Sequence, residues 1–310
     1  MTEASRVWVL ADPRAGTAAQ ALGMAERLGR PFHTLPLGWG ALARLPLPWP
    51  SLAGLSAEAR AGLAPPWPGL VFSAGRRAAP VARWLRRRGA RTVHAMRPGF
   101  GAADFDLLVI GRHDAPRPAP NLFPILGACH RLSPSRLAAA RAEWAGFASL
   151  PAPRVALLLG GAVRGEGLAP DLAAELARAA AGFGGSVLAT TSRRSGAAAA
   201  GSVAAALAAV PHRLHGWGAA GANPYAGMLA WADAVVATGD SVSMLSEALA
   251  TSAPLFIAET TEAPRHRALW RSLYDSGQAR RLSPGVAFFP RARLDEAGRV
   301  AAAIRARGWA

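Results

Sequence analysis

A strand, a tight turn and a helix are predicted, in that order, by the stretch Trp231-Ala232-Asp233-Ala234-Val235-Val236-Ala237-Thr238-Gly239-Asp240-Ser241-Val242-Ser243-Met244-Leu245-Ser246-Glu247-Ala248. Residues 234–237 form a short apolar run with two valines, which is typical of a parallel strand buried on both faces. Residues 238–241 are the small and polar residues of a turn. Residues 243–250 place apolar side chains on one side of a helix. Such a unit is typical of an α/β fold with a parallel sheet.

The same stretch contains a candidate anion-binding site. A helix that follows a strand and a turn of glycine and hydroxyl residues presents free backbone N–H groups and a positive dipole end. Glu247, one to two turns into the helix, is better placed to accept hydrogen bonds from two vicinal hydroxyls than to meet a phosphate. A phosphate at the turn and a ribose at Glu247 describe a nucleotide, for which the candidate ligands are Thr238, Gly239, Asp240, Ser241, Ser243 and Glu247. The alternative is that Asp240 or Ser241 only caps the helix and Glu247 is a solvated residue.

The composition excludes several classes of enzyme. The chain has 310 residues and a net charge of +16, and all 35 basic residues are arginines. The absence of lysine excludes Schiff-base chemistry, pyridoxal phosphate enzymes and the lysine of a Walker A loop. A pI of about 11.7 favours anionic partners such as phosphates or acidic lipid surfaces. Nucleic acid is the least favoured of these partners, because no nucleic-acid motif is present.

Cysteine and hydropathy patterns indicate the compartment. Cys129 is the only cysteine, which excludes an intramolecular disulfide and a cysteine-based zinc site. The start of the chain has no signal-peptide pattern, and no strongly apolar run reaches 18 residues. We therefore expect a cytoplasmic protein that can lie peripherally on the inner face of the membrane. Asp104-Phe105-Asp106 has the spacing of a metal-binding pair but precedes a strand, so we expect no metal and no cofactor.

Two successive series of alternating strands and helices predict two Rossmann-like domains that face each other across a cleft. Residues 1–128 form the first domain, residues 129–153 a linker helix and linker, residues 154–290 the second domain, and residues 291–310 a helix that packs across both. Strands are predicted at 6–10, 31–37, 69–73, 91–95, 107–110, 154–159, 186–190, 212–216, 234–237 and 254–258, and helices include 18–28, 202–209 and 291–307. No Gly-x-Gly-x-x-Gly fingerprint follows a first strand, which argues against a nicotinamide or flavin dehydrogenase.

Polar residues follow several of the predicted strands, at the edge where open α/β folds bind ligands. In the first domain the candidate site residues are Asp12, Arg14, Gly16, Gly75, Arg76, Arg77 and His113. The alternative is a purely structural role, in which Thr17 caps the first helix and Arg14 is solvated. In the second domain, further candidate nucleotide ligands are Gly160, Gly161, Thr191, Ser192, Arg193, Arg194, Asn223 and Tyr225.

Residues 38–68 are rich in Trp, Leu and Pro and poor in charge. Trp39, Trp49 and Trp67 fall in this segment, and prolines at 46, 48 and 50 prevent regular structure. An exposed surface of this composition suits an apolar or lipid-linked acceptor, or a membrane interface. The alternative is that these side chains simply cover the first domain.

Several motifs together resemble a known family. They are Val7-Trp8-Val9-Leu10 with residues 12–20, Ser73-Ala74-Gly75-Arg76-Arg77-Ala78-Ala79-Pro80, Thr190-Thr191-Ser192-Arg193-Arg194, Asn223-Pro224-Tyr225, Leu229-Ala230-Trp231-Ala232-Asp233 and residues 238–248. On these residues the chain resembles the bacterial branch of the mitochondrial fission "elongated mitochondria" family, which is related to glycosyltransferases of the GT-B fold. Plant members are implicated in recruiting a dynamin-related protein to mitochondria.

The resemblance implies a nucleotide-sugar site on the second domain, with the turn at 238–243 on the diphosphate and Glu247 on the ribose. Asp240 departs from this pattern, because a carboxylate beside a diphosphate is repulsive unless a cation such as Arg193 or Arg194 offsets it. The first hypothesis is a metal-independent glycosyltransferase that uses a nucleotide-diphosphate sugar, with Asp12 first and His113 second as the base that deprotonates the acceptor hydroxyl. The residues then expected on the acceptor side are Arg14, Gly16, Gly75, Arg76 and Arg77. The second is a non-catalytic scaffold that binds a protein or a membrane surface, and the third is a sugar-nucleotide epimerase. The sugar, the base, the acceptor and the oligomeric state stay open.

Overall fold

Two parallel sheets organise the chain in the computed structural model, which describes residues 6–161 and 167–309. The chain divides into two units: unit 1 comprises Met1–Arg131 with Asp295–Ala310, and unit 2 comprises Leu132–Leu294. Each unit contains one sheet of six strands, and every described strand pairing is parallel. This arrangement confirms the predicted α/β class with two Rossmann-like units.

The sheet of unit 1 has the strand order β2-β1-β3-β4-β5-β6. Its strands are β1 (Val7–Ala11), β2 (Phe32–Pro36), β3 (Leu70–Ala74), β4 (Arg91–Ala95), β5 (Leu107–Gly111) and β6 (Leu122–Ile125). The α-helices of the unit are α1 (Ala15–Leu28), α2 (Ala57–Ala61), α3 (Ala79–Arg86) and, from the end of the chain, α10 (Glu296–Ala306).

Alternation along the strands of unit 1 builds a core on each face of the sheet. Val7 and Val9 lie in one buried cluster together with Met24 of α1 and Ile304 of α10. Trp8 and Leu10 lie in the cluster on the other face, because successive side chains of a strand point to opposite sides. Both faces are covered, as parallel sheets require.

The sheet of unit 2 has the strand order β12-β11-β10-β7-β8-β9, which is the strand order of dinucleotide-binding Rossmann folds. Its strands are β7 (Arg154–Leu159), β8 (Ser186–Thr191), β9 (His212–His215), β10 (Ala234–Thr238), β11 (Leu255–Ala258) and β12 (Arg280–Arg281). The α-helices of the unit are α4 (Pro134–Glu143), α5 (Pro170–Ala181), α6 (Ala197–Ala206), α7 (Tyr225–Trp231), α8 (Val242–Ala248) and α9 (Pro264–Asp275). The strands β7 and β10 are buried along almost their whole length, which explains their uninterrupted apolar sequences.

The strand order of each sheet reverses at one point. In unit 1 the chain leaves β1 toward β2 on one side and later returns to β3 on the other. In unit 2, β7 has β8 on one side and β10 on the other. Crevices for ligands form at the carboxyl ends of strands at such switch points. Functional side chains are therefore expected at the switch point of each sheet.

Several elements differ from the sequence predictions, and they include α2 and β12, which were not predicted. The edge strand β6 was not predicted because it contains Pro124, but an edge position tolerates proline since one side of the strand needs no ladder partner. The helix α6 begins at Ala197 rather than at 202, because the alanine run that precedes Ser202 is itself helical. The helix α10 begins at Glu296 rather than at 291, because the Asp295 side chain accepts from the Gly298 N–H and caps it.

No helix in the described ranges is long and apolar enough to cross a bilayer. The longest, α1, has 14 residues, whereas a spanning helix needs about 20 apolar ones.

Candidate functional site at the carboxyl edges of the two sheets

Asp240 joins three loops at the switch point of unit 2. Its carboxylate accepts the backbone N–H of Gly161, which follows β7, at 2.8 Å, and the hydroxyl of Thr260, which follows β11, at 3.4 Å. Nη2 of Arg194, which follows β8, lies 3.4 Å from Oδ2 of Asp240. The carboxylate is buried, so these partners hold its charge in place. Arg194, one of two arginines expected to offset this charge, forms the ion pair.

Gly160 and Gly161 are glycines because the loops pack closely. A Cβ on Gly160 would lie 2.6 Å from the Asp240 carboxylate, and one on Gly161 would lie 2.2 Å from the backbone oxygen of Arg194. The N–H of Gly160 donates to Thr238 Oγ1 at 2.7 Å. Both glycine N–H groups are therefore engaged within the protein.

The turn that leads into α8 combines packing and capping. The indole N–H of Trp270 donates to the Gly239 carbonyl at 2.9 Å, and a Cβ on Gly239 would lie 2.5 Å from that ring. The Ser241 hydroxyl accepts the N–H of Met244 at 3.3 Å, so Ser241 is the N-cap of α8. Ser243 is half-buried in the first turn of the helix.

Glu247 is a half-buried carboxylate on α8 whose Oε2 accepts the hydroxyl of Tyr225 at 2.7 Å. Within the described ranges it forms no ion pair. Burial raises the pKa of Glu247 to about 7, although the hydrogen bond from Tyr225 lowers it. Burial and the neighbouring Glu247 also raise the pKa of Tyr225. By contrast, Glu259 has a similar bond from Tyr274, at 3.1 Å, but lies 3.4 Å from the guanidinium of Arg281.

The remaining predicted residues of unit 2 follow β8 or precede α7. The Thr191 hydroxyl accepts the N–H of Trp217 at 2.9 Å, and the Ser192 hydroxyl accepts the N–H of Arg194 at 3.2 Å. Arg193 is exposed. Asn223 Oδ1 accepts the N–H of Tyr225 at 3.0 Å and so fixes the start of α7.

The switch point of unit 1 contains a second pair of aspartate and arginine. Arg77, which follows β3, lies 3.3 Å from the buried carboxylate of Asp12, which follows β1. The backbone N–H of Arg14 donates to Asp12 at 2.9 Å, and its side chain lies 3.6 Å away. The guanidinium carbon of Arg77 is 4.8 Å from the centroid of the Trp39 ring. Gly16 lies in the first turn of α1, beside this cluster.

Two residues with left-handed backbone follow neighbouring strands of the same edge. Gly75, after β3, has φ +80°, and Met96, after β4, has φ 72°. A non-glycine residue with this conformation stores strain, and such residues concentrate at functional sites. Arg76 is exposed between them.

His113 lies apart from Asp12. It follows β5, and β3 and β4 separate β5 from β1, which corresponds to roughly 14 Å along the sheet. The ring is buried against Gly111, and Nε2 lies 3.8 Å from Oδ2 of Asp114. The structure thus does not bring the two predicted bases together within unit 1.

The acidic pair at 104 and 106 forms ion pairs with arginines. Asp104 bonds Arg83 at 2.7 Å, and Asp106 bonds Arg86 at 3.2 Å. Among the described residues no cluster of His, Cys, Asp and Glu has the arrangement of a metal site.

The chain is similar to known proteins over nearly its whole length. The family model described as mitochondrial fission ELM1 matches residues 15–308. The chain belongs to the mitochondrial fission ELM1 family. It is 29% identical over 283 residues to the mitochondrial fission protein ELM1 of Arabidopsis thaliana, a match that covers 78% of this chain and 65% of the plant protein. A Rickettsia prowazekii protein, named only as uncharacterized, is 29% identical over 116 residues, which is 35% of this chain and 32% of that protein. The chain thus spans less than two thirds of the length of the curated relatives it matches.

Solved structures similar to this ELM1-family protein share its fold at low sequence identity. Os79 of O. sativa in complex with UDP has a TM-score of 0.55 and 13% identity, and the match covers 96% of this chain and 90% of Os79. MurG of Acinetobacter baumannii has a TM-score of 0.53 and 14% identity, with 98% and 92% covered. The UDP-GlcNAc 2-epimerase of Neisseria meningitidis bound to UDP-GlcNAc has a TM-score of 0.52 and 11% identity, with 97% and 99% covered. These neighbours confirm the GT-B-like fold.

Sequence reasoning missed three side chains of this ELM1-family protein that complete the two switch points. Thr260 and Trp270 contact the turn at residues 239–240 of unit 2, and Trp39 lies against Arg77 in unit 1. Trp39 was predicted only as part of an apolar surface. Thr260 was visible as a hydroxyl after a strand, whereas Trp270 carries no signal because it comes from the middle of α9.

Proposed function

We propose that unit 2 binds a nucleotide-diphosphate sugar at its switch point, and that the protein is a metal-independent glycosyltransferase of the GT-B type. The support comes from the strand order of unit 2, the polar residues at its carboxyl edge and the fold shared with nucleotide-sugar enzymes. The acceptor would bind to unit 1.

The observation that carries the proposal is the state of Glu247. A half-buried carboxylate without a cation costs folding free energy, and folds usually remove that cost by an ion pair such as the one at Glu259. A perturbed carboxylate that persists at a ligand edge is a candidate functional group. Two vicinal ribose hydroxyls would supply the hydrogen bonds that the carboxylate lacks, while Tyr225 holds it in place.

The diphosphate would be bound mainly by side chains rather than by the glycine loop. The N–H groups of Gly160 and Gly161 are already engaged, and Arg194 already neutralises Asp240. Arg193 remains as an exposed guanidinium, and Ser243 as a hydroxyl in the first turn of α8. Guanidinium groups bind phosphate oxygens in bidentate geometry and stabilise a leaving diphosphate electrostatically.

On the acceptor side, Asp12 is the candidate general base. Its carboxylate is buried and positioned by Arg77, and it lies at the switch point of unit 1. His113 stays the second candidate base, because it follows β5 and the strands β3 and β4 separate β5 from β1. A base must lie within hydrogen-bond reach of the acceptor hydroxyl that it deprotonates.

A non-catalytic shell is the second candidate function. It is favoured by one observation, namely that the two glycine N–H groups expected to meet a diphosphate donate instead to Thr238 and Asp240. Epimerases also occur among the solved structures with this fold, and product analysis with a labelled nucleotide sugar separates epimerisation from transfer.

The test is a thermal-shift screen with the diphosphates of uridine, guanosine, adenosine and thymidine. We expect one of them to raise Tm and Glu247→Ala to abolish that rise. The matched control is Glu262→Ala, which removes an exposed, ion-paired carboxylate of the same unit and should leave the rise intact. The absence of a shift with all four nucleotides contradicts the proposal, and an equal loss in both variants contradicts the role of Glu247.

A further inference from the structure

Four of the six large apolar side chains that are exposed in the described structure belong to two loops of unit 1. Leu42, Leu45, Trp49 and Phe100 are between 47% and 59% exposed. We call these four residues the apolar patch. Three of them belong to the loop at residues 38–55 and the fourth to the loop at residues 96–103, so the patch joins two separate segments of the chain.

Contacts beneath the patch hold the two loops together. Leu45 and Phe100 line one small cavity, whose wall includes Arg76 and Arg77. Arg83, a buried residue of α3, donates from Nη1 to the Pro48 carbonyl at 2.8 Å. A Cβ on Gly101, next to Phe100, would overlap the same guanidinium, so Arg83 packs against both loops. Leu45 and Phe100 therefore meet where the two loops join, and Leu42 and Trp49 flank Leu45 on the same loop.

The rim of the patch is positively charged. The two loops contain exposed Arg44 and Arg97 and no acidic residue, and the acids nearest to them in sequence are Glu58 and Asp104. The stem of exposed Arg76 lies against Gly99, since a Cβ there would be 3.1 Å from Arg76 Cγ. One of the two acids, Asp104, is paired with Arg83.

We propose that the apolar patch docks unit 1 onto an anionic lipid bilayer. Tryptophan and leucine side chains of this exposure insert at the level of the lipid headgroups, where an indole is stable. Surrounding arginines pair with the lipid phosphates, and their attraction requires negatively charged lipid. A bilayer satisfies both the apolar centre and the basic rim, whereas a protein groove would need matched acids around an apolar pocket. This inference is independent of nucleotide binding by unit 2.

The test is sedimentation of the full chain with vesicles of phosphatidylcholine alone and of phosphatidylcholine with phosphatidylglycerol. We expect binding only to the anionic vesicles, and at least about a tenfold weaker partitioning of the double variant Leu45→Ser/Trp49→Ser, because two apolar side chains no longer leave water. The matched control is Trp217→Ser, which removes an exposed tryptophan of unit 2 and should not change partitioning. Arg44→Gln should weaken binding to anionic vesicles in the same direction, by a smaller factor.

A second measurement locates the contact. Cys129 is buried, so a cysteine introduced by Leu45→Cys can be labelled selectively with a polarity-sensitive dye. We expect a blue shift of the dye on anionic vesicles and none for the same dye on Trp217→Cys. The inference is overturned if Leu45→Ser/Trp49→Ser binds like the unmodified chain, if neither vesicle binds, or if the patch instead mediates self-association that the double variant abolishes.

Discussion

The switch points of the two units contain the same pair of residue types and use them differently. In unit 2, Asp240 accepts a backbone N–H from the end of β7 and a hydroxyl from the end of β11, besides the ion pair with Arg194. In unit 1, the partners of Asp12 among the described residues are a backbone N–H of its own loop and two arginines, of which Arg77 lies over Trp39. Asp240 thus connects the loops after β7, β8 and β11, whereas Asp12 mainly pairs with the arginines Arg14 and Arg77.

The carboxyl edges of two similar sheets can therefore suit different partners. In unit 2, the described residues give Glu247 a hydrogen bond from Tyr225 and no ion pair, which suits a ligand rich in hydroxyls. Unit 1 leaves exposed arginines beside apolar side chains, which suits an anionic and apolar partner. The chemistry lies in the loops, because the strands supply only their positions.

The largest effect on stability should come from replacing each of the two aspartates by alanine. We expect Asp240→Ala to lower the free energy of unfolding by about 3 kcal/mol, since it strands a buried N–H and a partly buried guanidinium. Asp12→Ala should cost about 1.5 kcal/mol, because one of its two arginine partners, Arg14, is largely exposed and its remaining acceptor role is within its own loop. Urea unfolding of both variants measures the difference. Equal losses would show that the two pairs do the same structural work.

The second effect is a pH dependence confined to unit 2. Burial raises the pKa of Glu247 from 4.5 to about 7, so the folded state is favoured by its protonated form below pH 4.5 and loses that contribution as the pH rises through 7. The shift corresponds to at most about 3 kcal/mol. We expect Glu247→Gln to be more stable than the unmodified chain at pH 8 and to lose most of this advantage at pH 5.

Urea unfolding at several pH values checks this, with Glu262→Gln as the control that should show no such gain. A pH-independent difference for Glu247→Gln would mean that Glu247 is solvated. In that case the contrast between its carboxylate and the ion-paired acids of unit 1 would disappear.

The smallest effect concerns the contact between Trp39 and the guanidinium of Arg77 in unit 1. A double-mutant cycle of Trp39→Leu and Arg77→Met should give a coupling of about 0.5–1 kcal/mol from the cation–π contact. The same cycle with Arg86→Met in place of Arg77→Met should be additive, because Arg86 pairs with Asp106 rather than with Trp39. Coupling in both cycles would indicate a general loss of stability rather than a local contact.

Much of the fold could be predicted from the sequence because buried parallel strands read as short apolar runs. The runs at 154–159 and 234–237 are confirmed as β7 and β10. Asp240 and Ser241 were the two candidate caps after β10, and Ser241 is the N-cap of α8. The edge strand β6 was missed because it contains Pro124, which is unusual in a strand. The side chains that complete the site escaped for another reason: Trp270 and Thr260 reach Asp240 and its turn only after separate elements have packed.

The sequence by itself determined the α/β class, the two series of strands and the polar residues at the strand ends, since periodicity and turn chemistry are local. It also determined the strongly basic character, which is a property of composition. The pairing of Arg194 with Asp240, the hydrogen bond from Tyr225 to Glu247 and the contact of Phe100 with the loop at 38–55 are known from the tertiary structure alone. These facts depend on distances between residues far apart in the chain, and such distances are fixed by packing, not by local propensity.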